Sequence, residues 1–102
     1  MLLPLRLQFL MIASFAHKGL ERFYRTGNVS GIQTVHIAKL RLILSLLDAA
    51  QTVEGMRLSA LKLHRLKGAR SDTWSATIQA NWRVTFRFEQ GNAHIVNYED
   101  YH

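Results

Sequence analysis

A chain of 102 residues with one proline, six glycines and 48% apolar residues is long enough for one domain with a single core. It contains no cysteine, which excludes a disulfide framework and a thiolate metal site and fits a reducing, cytoplasmic compartment. Thirteen Lys and Arg against seven Asp and Glu give a net charge of +6. That excess favours polyanionic partners, with nucleic acid ahead of an anionic membrane.

The first ten residues are mostly apolar but are interrupted by Pro4, Arg6 and Gln8. They are too short and too broken for a membrane span, and they lack the charged start of a signal peptide. We therefore expect residues 1–10 to be an extension, with a candidate internal start just after it, and residues 11–102 to form a single domain without membrane association.

The first half of the domain predicts two helices. Residues 12–15 could form a short strand, and residues 17–26 have helical spacing that ends at Gly27. Thr34 is the predicted N-cap of a longer helix that runs to about Ala50. The apolar residues of this second helix occupy more than one stripe, so it is expected to be largely buried against a sheet.

The second half of the domain predicts strands. Residues 61–66 indicate an irregular extended segment, and residues 74–79 alternate as a strand. A hairpin turn at residues 90–92 precedes a last strand over residues 93–99. The predicted fold class is α+β, with two N-terminal helices packed on an antiparallel β-sheet whose other face is open.

The most regular stretch is the strand over residues 81–88. Its apolar positions are Trp82, Val84, Phe86 and Phe88. These side chains can anchor a core, while Arg83 and Arg87 place two positive charges on the opposite face. Such a rigid basic face suits a phosphate-handling site. The alternative is a solvated outer face on which the two arginines pair across strands with Glu99 or Glu89.

Several familiar kinds of site are missing from the sequence. There is no phosphate-cradling glycine loop, no HExxH and no Cys/His cluster, and the acids are too scattered for a two-metal nuclease. No metal and no cofactor are therefore expected. The remaining His, Lys, Arg and Tyr residues suffice for RNA cleavage, because the 2′-OH of RNA is an internal nucleophile. Such a reaction needs a base, an acid and cations around the phosphate.

Four segments together resemble a known family. They read FAHKGL at residues 15–20, LHRLKG at 63–68, NWRVTF at 81–86 and NYEDYH at 97–102. They resemble the HigB toxins of the RelE superfamily, also called plasmid-maintenance killer proteins, and the likeness covers residues 11–102. Arg65 departs from the pattern, since close relatives are expected to carry proline at that position.

The resemblance implies a RelE-like, microbial-RNase-like fold and an endoribonuclease that enters the ribosomal A site and cleaves mRNA during translation. It implies a helix-turn-helix antitoxin of the HigA type, which neutralises the toxin. Operator DNA would be bound only through the toxin–antitoxin complex.

The resemblance also implies which residues act. The family's functional positions correspond to His64, Asp100, Tyr101 and His102, and its basic positions to Lys67 and Arg83. From their chemistry, the two histidines would transfer protons, in an order that the sequence leaves open, and the two cations would stabilise the phosphorane. Asp100 would orient a histidine or meet the base, and Tyr101 would stack on a nucleotide or position the 2′-OH. The other basic residues expected to bind RNA are Lys62, Arg65, Arg70 and Arg87.

Two other functions remain open from the sequence. One is a basic module that occupies RNA or the ribosome and blocks translation without cleavage. The other is a degenerate toxin whose remaining partner is its antitoxin. Blander interpretations also exist for single residues: His64 as the cap of a loop, Lys67 as a solvated lysine, and residues 101–102 as a frayed terminus. His17, His36 and His94 are assigned to the surface or to packing.

Overall fold

The computed structural model describes residues 12–101, so the predictions for residues 1–10, for a start at Met11 and for His102 lie outside the described residues. The helices and strands are α1 (Lys18–Thr26), α2 (Ile37–Ala49), β1 (His64–Arg65), β2 (Trp74–Gln79), β3 (Trp82–Glu89) and β4 (Asn92–Asp100). The strands form one antiparallel sheet in the order β1-β2-β3-β4. The predicted α+β class, with helices and an antiparallel sheet, is confirmed.

Helix α1 begins and ends at residues that the sequence marks. His17 is its N-cap, and its Nδ1 accepts a hydrogen bond from the backbone N–H of Leu20 at 2.9 Å. Gly27 ends the helix with a left-handed φ of 81°, a conformation that glycine adopts without steric cost. The predicted helix is therefore confirmed, with its first residue serving as the cap.

The start of the second helix differs from the prediction. Thr34 is not an N-cap: it opens a single 3₁₀ turn, Thr34–His36, that follows Gln33, and no side chain caps the turn. Helix α2 begins only at Ile37. The turn ends at His36, which is fully buried and bonded through both ring nitrogens. These bonds hold the chain in the tighter turn ahead of the helix.

The core lies between α2 and one face of the sheet. Helix α2 contributes Leu40, Ile43, Leu44 and Leu47, all buried. Strand β3 contributes Val84 and Phe86, which are fully buried, and Trp82 and Phe88 pack against the same cluster. The prediction that alternate residues of β3 anchor a core is confirmed. The burial of α2 is one-sided, because Leu42 on its outer face is 43% exposed.

Two predicted strands are much shorter than expected. β1 has two paired residues, because Lys62 just before it adopts a left-handed φ of 48° after a 3₁₀ turn at Ser59–Leu61. The predicted strand at residues 12–15 is reduced to isolated parallel bridges to β4, from Ile12 to Ala93 and from Phe15 to Val96.

A bulge in β4 sets the register beyond the hairpin. Thr85 pairs with Asn97 and Arg87 with His94, so Ile95 and Val96 together lie opposite the single residue Phe86. Ile95 has a φ of 55° and is half exposed, while Val96 is fully buried. Beyond the bulge, Arg83 faces Glu99 across the strands. Within residues 12–101, no helix is both long and apolar enough to cross a membrane.

Candidate functional site

The face of the sheet away from the core carries two rows of polar residues. One row runs across all the strands through His64, Ser75, Thr85 and Asn97. The next row runs through Thr77, Arg83 and Glu99. Two strand spacings and two residue rises separate His64 from Arg83, or roughly 12 Å between Cα atoms. Both long side chains can therefore reach one group placed between them.

Arg83 is held by contacts that do not neutralise it. Its Nη1 donates to Thr77 Oγ1 at 2.8 Å, and its guanidinium lies 5.5 Å from the centre of the Tyr101 ring. Its Nε is buried with no hydrogen-bond partner among the described residues. Among residues 12–101, Arg83 forms no ion pair, although Glu99 lies opposite it in the register.

The Glu99 carboxylate binds Arg70 instead. Arg70 donates from both terminal nitrogens, to Oε1 at 3.1 Å and to Oε2 at 2.8 Å, as a fork. Thr85 Oγ1 also donates to Oε2, and Asn97 Nδ2 donates to it at 3.3 Å. Chiefly because of the Arg70 hydrogen bonds, the pKa of Glu99 is lowered from its ordinary value. This cluster covers Thr85, which the alternation placed on an open face but which is fully buried.

Tyr101 extends the sheet past the end of β4. Its backbone N–H donates to the Asn81 carbonyl at 2.8 Å, which ties it to the turn before β3. The centre of its ring lies 6.0 Å from the Arg70 guanidinium and 5.5 Å from that of Arg83. Cations at these distances are attracted by the face of an aromatic ring. Tyr101 is therefore hydrogen-bonded to the turn before β3 and lies beside both arginines.

His64 lies exposed at the other end of its row. Its Nδ1 is 2.8 Å from the carbonyl oxygen of Lys62. A carbonyl only accepts, so Nδ1 carries the hydrogen and Nε2 of the neutral ring is the nitrogen that can take up a proton. Lys67 is also exposed and stands before a 3₁₀ turn at Gly68–Arg70.

The remaining predicted residues are less closely grouped. Arg65 pairs with Trp74 in the register, stacks 5.5 Å from its ring and donates to the Ser71 carbonyl, so it lies on the other face from Arg83. Arg87 lies on the Arg83 face but forms an ion pair with Asp72 at 2.9 Å.

Lys62 is exposed beside His64. Asp100 pairs with Trp82 in the register, one residue out of step with the Arg83 row. The structure therefore brings Arg83, Arg70 and Tyr101 together. It does not bring Arg65 to them.

The role of Glu99 was not predicted from the sequence, which offered it only as a cross-strand partner of an arginine. Counting from the hairpin without a bulge would pair Glu99 with Trp82, whereas the bulge at Ile95 places it opposite Arg83. Its bond to Arg70 joins residues 29 positions apart and leaves no local pattern. Within the described part of the chain, no group of three or more His, Cys, Asp or Glu residues could hold a metal ion.

Comparison with known proteins identifies the family. The profile of the family described as "RelE-like toxin of type II toxin-antitoxin system HigB" matches residues 13–102. The chain belongs to this HigB-like toxin family. A relative, Endoribonuclease HigB of Proteus vulgaris, is 44% identical over 92 residues, which cover 90% of this chain and 100% of the relative. The resemblance stated from the sequence motifs is thus confirmed, and every described site residue falls inside the matched range.

Membership in the HigB-like family has a direct consequence for partners. A type II toxin–antitoxin system pairs the toxin with a protein antitoxin, so this HigB-like toxin has an antitoxin partner.

Proposed function

We propose that this HigB-like toxin is a ribosome-dependent endoribonuclease that cleaves mRNA without a metal ion. The observation that carries the proposal is Arg83, a cation stacked on Tyr101 and without a carboxylate partner among the described residues. The name of the relative from Proteus vulgaris, Endoribonuclease HigB, supports the same activity. The order of the elements, two helices before an antiparallel sheet, fits a RelE-like fold.

In the proposed reaction, the 2′-oxygen of one nucleotide attacks the adjacent phosphorus. The new bond is 2′-O–P and the bond that breaks is P–O5′. A base takes the 2′ proton, and an acid gives a proton to the leaving 5′-oxygen. The products are a 2′,3′-cyclic phosphate and a 5′-hydroxyl.

The cations of the site act on the phosphorane. Negative charge grows on its oxygens during the attack, and fixed N–H donors stabilise it most when they need no reorganisation. Arg83 is held in place by Thr77 and Tyr101, so it offers such a donor. Lys67, exposed on the loop after β1, is the second proposed cation.

The proton transfers are assigned to the two histidines. His64 can accept a proton at Nε2, because its Nδ1–H is bound to the Lys62 carbonyl. His102 is the proposed second group, with Asp100 orienting a histidine or meeting the base. Tyr101 is proposed to stack on a nucleotide or to position the 2′-OH.

The proposed partners follow from the family. They are a helix-turn-helix antitoxin of the HigA type, mRNA in the ribosomal A site, and operator DNA reached only through the antitoxin complex. With mRNA on the ribosome as the proposed substrate, the proposed location is the cytoplasm. Lys62, Arg65, Arg70 and Arg87 are proposed to contribute to RNA attraction, although the ion pairs of Arg70 and Arg87 reduce their share.

The chemistry is tested with the purified chain and ribosomes carrying an mRNA whose cleavage position has been mapped. A single 2′-deoxy nucleotide 5′ to the scissile phosphate should abolish cleavage, while the all-ribose mRNA should yield a cyclic phosphate and a 5′-hydroxyl. Cleavage of the deoxy-substituted mRNA at an equal rate would show attack by water. Free mRNA, without ribosomes, should be cut far more slowly.

A cellular experiment separates cleavage from simple binding. The wild-type chain, His102→Ala and the control His94→Ala are induced, and mRNA 5′ ends are mapped by primer extension. New ends are expected with the wild type and with His94→Ala, but not with His102→Ala. Growth arrest without new ends would indicate a translation inhibitor that only binds. Absence of growth arrest would indicate a degenerate toxin.

A further inference from the structure

The position of Glu99 raises a problem for the proposed site. Residues directly opposite each other on one face of an antiparallel pair have Cβ atoms about 4.5–5.5 Å apart, so charges there interact. Glu99 lies directly opposite Arg83. A carboxylate bound to Arg83 would neutralise the cation that is meant to stabilise the phosphorane.

Arg70 removes this problem because it binds the Glu99 carboxylate in place of Arg83. It approaches from the 3₁₀ turn Gly68–Arg70 and binds both oxygens of Glu99. Thr85 and Asn97 lie in the neighbouring row of the sheet, and both donate to the same carboxylate. All of these donors draw Glu99 away from the row that holds Arg83.

We propose that Arg70 is a positioning residue, which engages the Glu99 carboxylate so that the charge of Arg83 stays available to the scissile phosphate. The inference rests on the proposed RNA cleavage at Arg83. It gives Arg70 a task other than direct attraction of RNA, because an arginine bound to a carboxylate adds little net charge to the surface.

The burial of the pair supports this division of tasks. The Glu99 side chain is 21% exposed and that of Arg70 is 43% exposed, so the carboxylate is the more enclosed partner. An enclosed carboxylate that lost Arg70 would be left without its main counter-charge, and Arg83 would be the cation facing it across the strands. The lowered pKa of Glu99 and the raised pKa of Arg70 are both due first to their mutual hydrogen bonds.

The test is a double-mutant cycle on the full chain with ribosome-bound mRNA under single-turnover conditions. The maximal rate and the half-saturating toxin concentration are measured for the wild type, Arg70→Gln, Glu99→Gln and the double variant. Arg70→Gln should lower the maximal rate between about tenfold and about a hundredfold, because it exposes Arg83 to a competing anion. Adding Glu99→Gln should restore the rate to within a few-fold of wild type.

Further variants separate this role from others. Arg70→Lys keeps a cation beside Glu99 and should retain most of the maximal rate. Glu99→Gln alone should cleave at the wild-type rate, since it removes the carboxylate opposite Arg83. The exposed ion pair of Arg57 with Glu54 provides the matched control. Arg57→Gln and Arg57→Gln with Glu54→Gln should leave the maximal rate unchanged.

Three results would overturn the inference. The first is a double variant as slow as Arg70→Gln. The second is a higher half-saturating toxin concentration in Arg70→Gln at an unchanged maximal rate, which would mean that Arg70 contacts RNA directly. The third is a tenfold loss of maximal rate in Glu99→Gln, measured at a temperature at which thermal melts show the variant to be folded. This comparison holds even if Arg70→Gln fails to fold. Absence of cleavage by the wild type would instead refute the proposed function itself.

Discussion

The two faces of the sheet use polar groups in opposite ways. On the core face, His36 is fully buried and both of its ring nitrogens are bonded, to Tyr98 at 2.7 Å and to Gln79 at 3.0 Å. On the other face, Arg83 has a buried Nε without a partner among the described residues. The ring nitrogens of His36 on the core face are satisfied, whereas the outer face leaves two buried polar atoms, Ser75 Oγ and Arg83 Nε, without a partner among the described residues.

This difference separates stability from activity. A buried network with every member bonded fixes one structure, because losing any member leaves another unsatisfied. A buried donor without a partner costs stability, while the partly exposed guanidinium of Arg83 keeps its charge for an anion that arrives later. Substitutions in the His36 network should therefore change the free energy of unfolding, and substitution of Arg83 itself should change the rate of cleavage.

The largest expected effect on stability is that of Phe86→Ala. Phe86 is fully buried at the centre of β3, and its loss leaves a cavity under α2. The free energy of unfolding should fall by about 3–5 kcal/mol, measured by denaturant titration. Leu42→Ala on the outer side of α2 is the control and should cost less than about 1 kcal/mol. Equal losses in the two variants would contradict the assignment of the core.

Tyr98→Phe tests the buried polar network with almost no change of volume. The Tyr98 hydroxyl lies 2.7 Å from His36 Nδ1 and accepts from the Gln33 backbone N–H at 3.3 Å. Nε2 of His36 donates to the side-chain oxygen Oε1 of Gln79, so Nδ1 needs the tyrosine proton. Removing it should cost about 1–3 kcal/mol of unfolding free energy. A stability equal to that of the wild type would mean that the network is not needed.

Glu99 should make stability depend on pH. Its pKa in the folded protein lies below the ordinary value of 4.5, first because of Arg70. Its contribution is therefore complete above pH 4.5 and is lost as the pH falls through the lowered pKa. Thermal melts between neutral and acidic pH should show a smaller acid-induced decrease in Glu99→Gln than in the wild type. Parallel decreases in both proteins would argue against the Arg70 pairing.

The smallest expected effect is that of Asp72→Asn. Its ion pair with Arg87 is exposed, with 51% and 43% of the two side chains accessible. Exposed pairs contribute about 0–1 kcal/mol, so the unfolding free energy should change by no more than that. A larger loss would show that this pair anchors residues 66–73 over the outer face.

Much of the fold could be predicted from local pattern. The alternation of β2 and β3, the hairpin at residues 90–92 and the helix ending at Gly27 all follow from side-chain period and turn chemistry, and all are present. The predicted N-cap at Thr34 is wrong because a cap prediction uses only the local sequence. The buried hydrogen bonds of His36 decide where α2 begins. Lys62 and Ile95 adopt positive φ without being glycine, so sequence gave no sign of the short β1 or the bulge.

The residues of the candidate site could be predicted from the sequence, but the ion pairs among them could not. Arg83 and Tyr101 could be named from their motifs, and alternation placed Arg83 on the outer face. The partner of each charge could not be predicted, since Arg70 reaches Glu99 and Asp72 reaches Arg87 only because the loop over residues 66–73 folds across the sheet. Such ion pairs depend on the tertiary path of a loop, which has no sequence period.

The most direct test of the outer face compares Arg83→Gln with Arg87→Gln. The two arginines lie on one face of the same strand, but Arg87 is paired with Asp72 and Arg83 has no carboxylate partner among the described residues. In single-turnover cleavage of ribosome-bound mRNA, Arg83→Gln should lower the maximal rate by about 100-fold or more, at an unchanged melting temperature. Arg87→Gln should reduce cleavage by less than about tenfold, mainly by raising the half-saturating toxin concentration. Equal losses in both variants would contradict the account and indicate a basic surface that only attracts RNA.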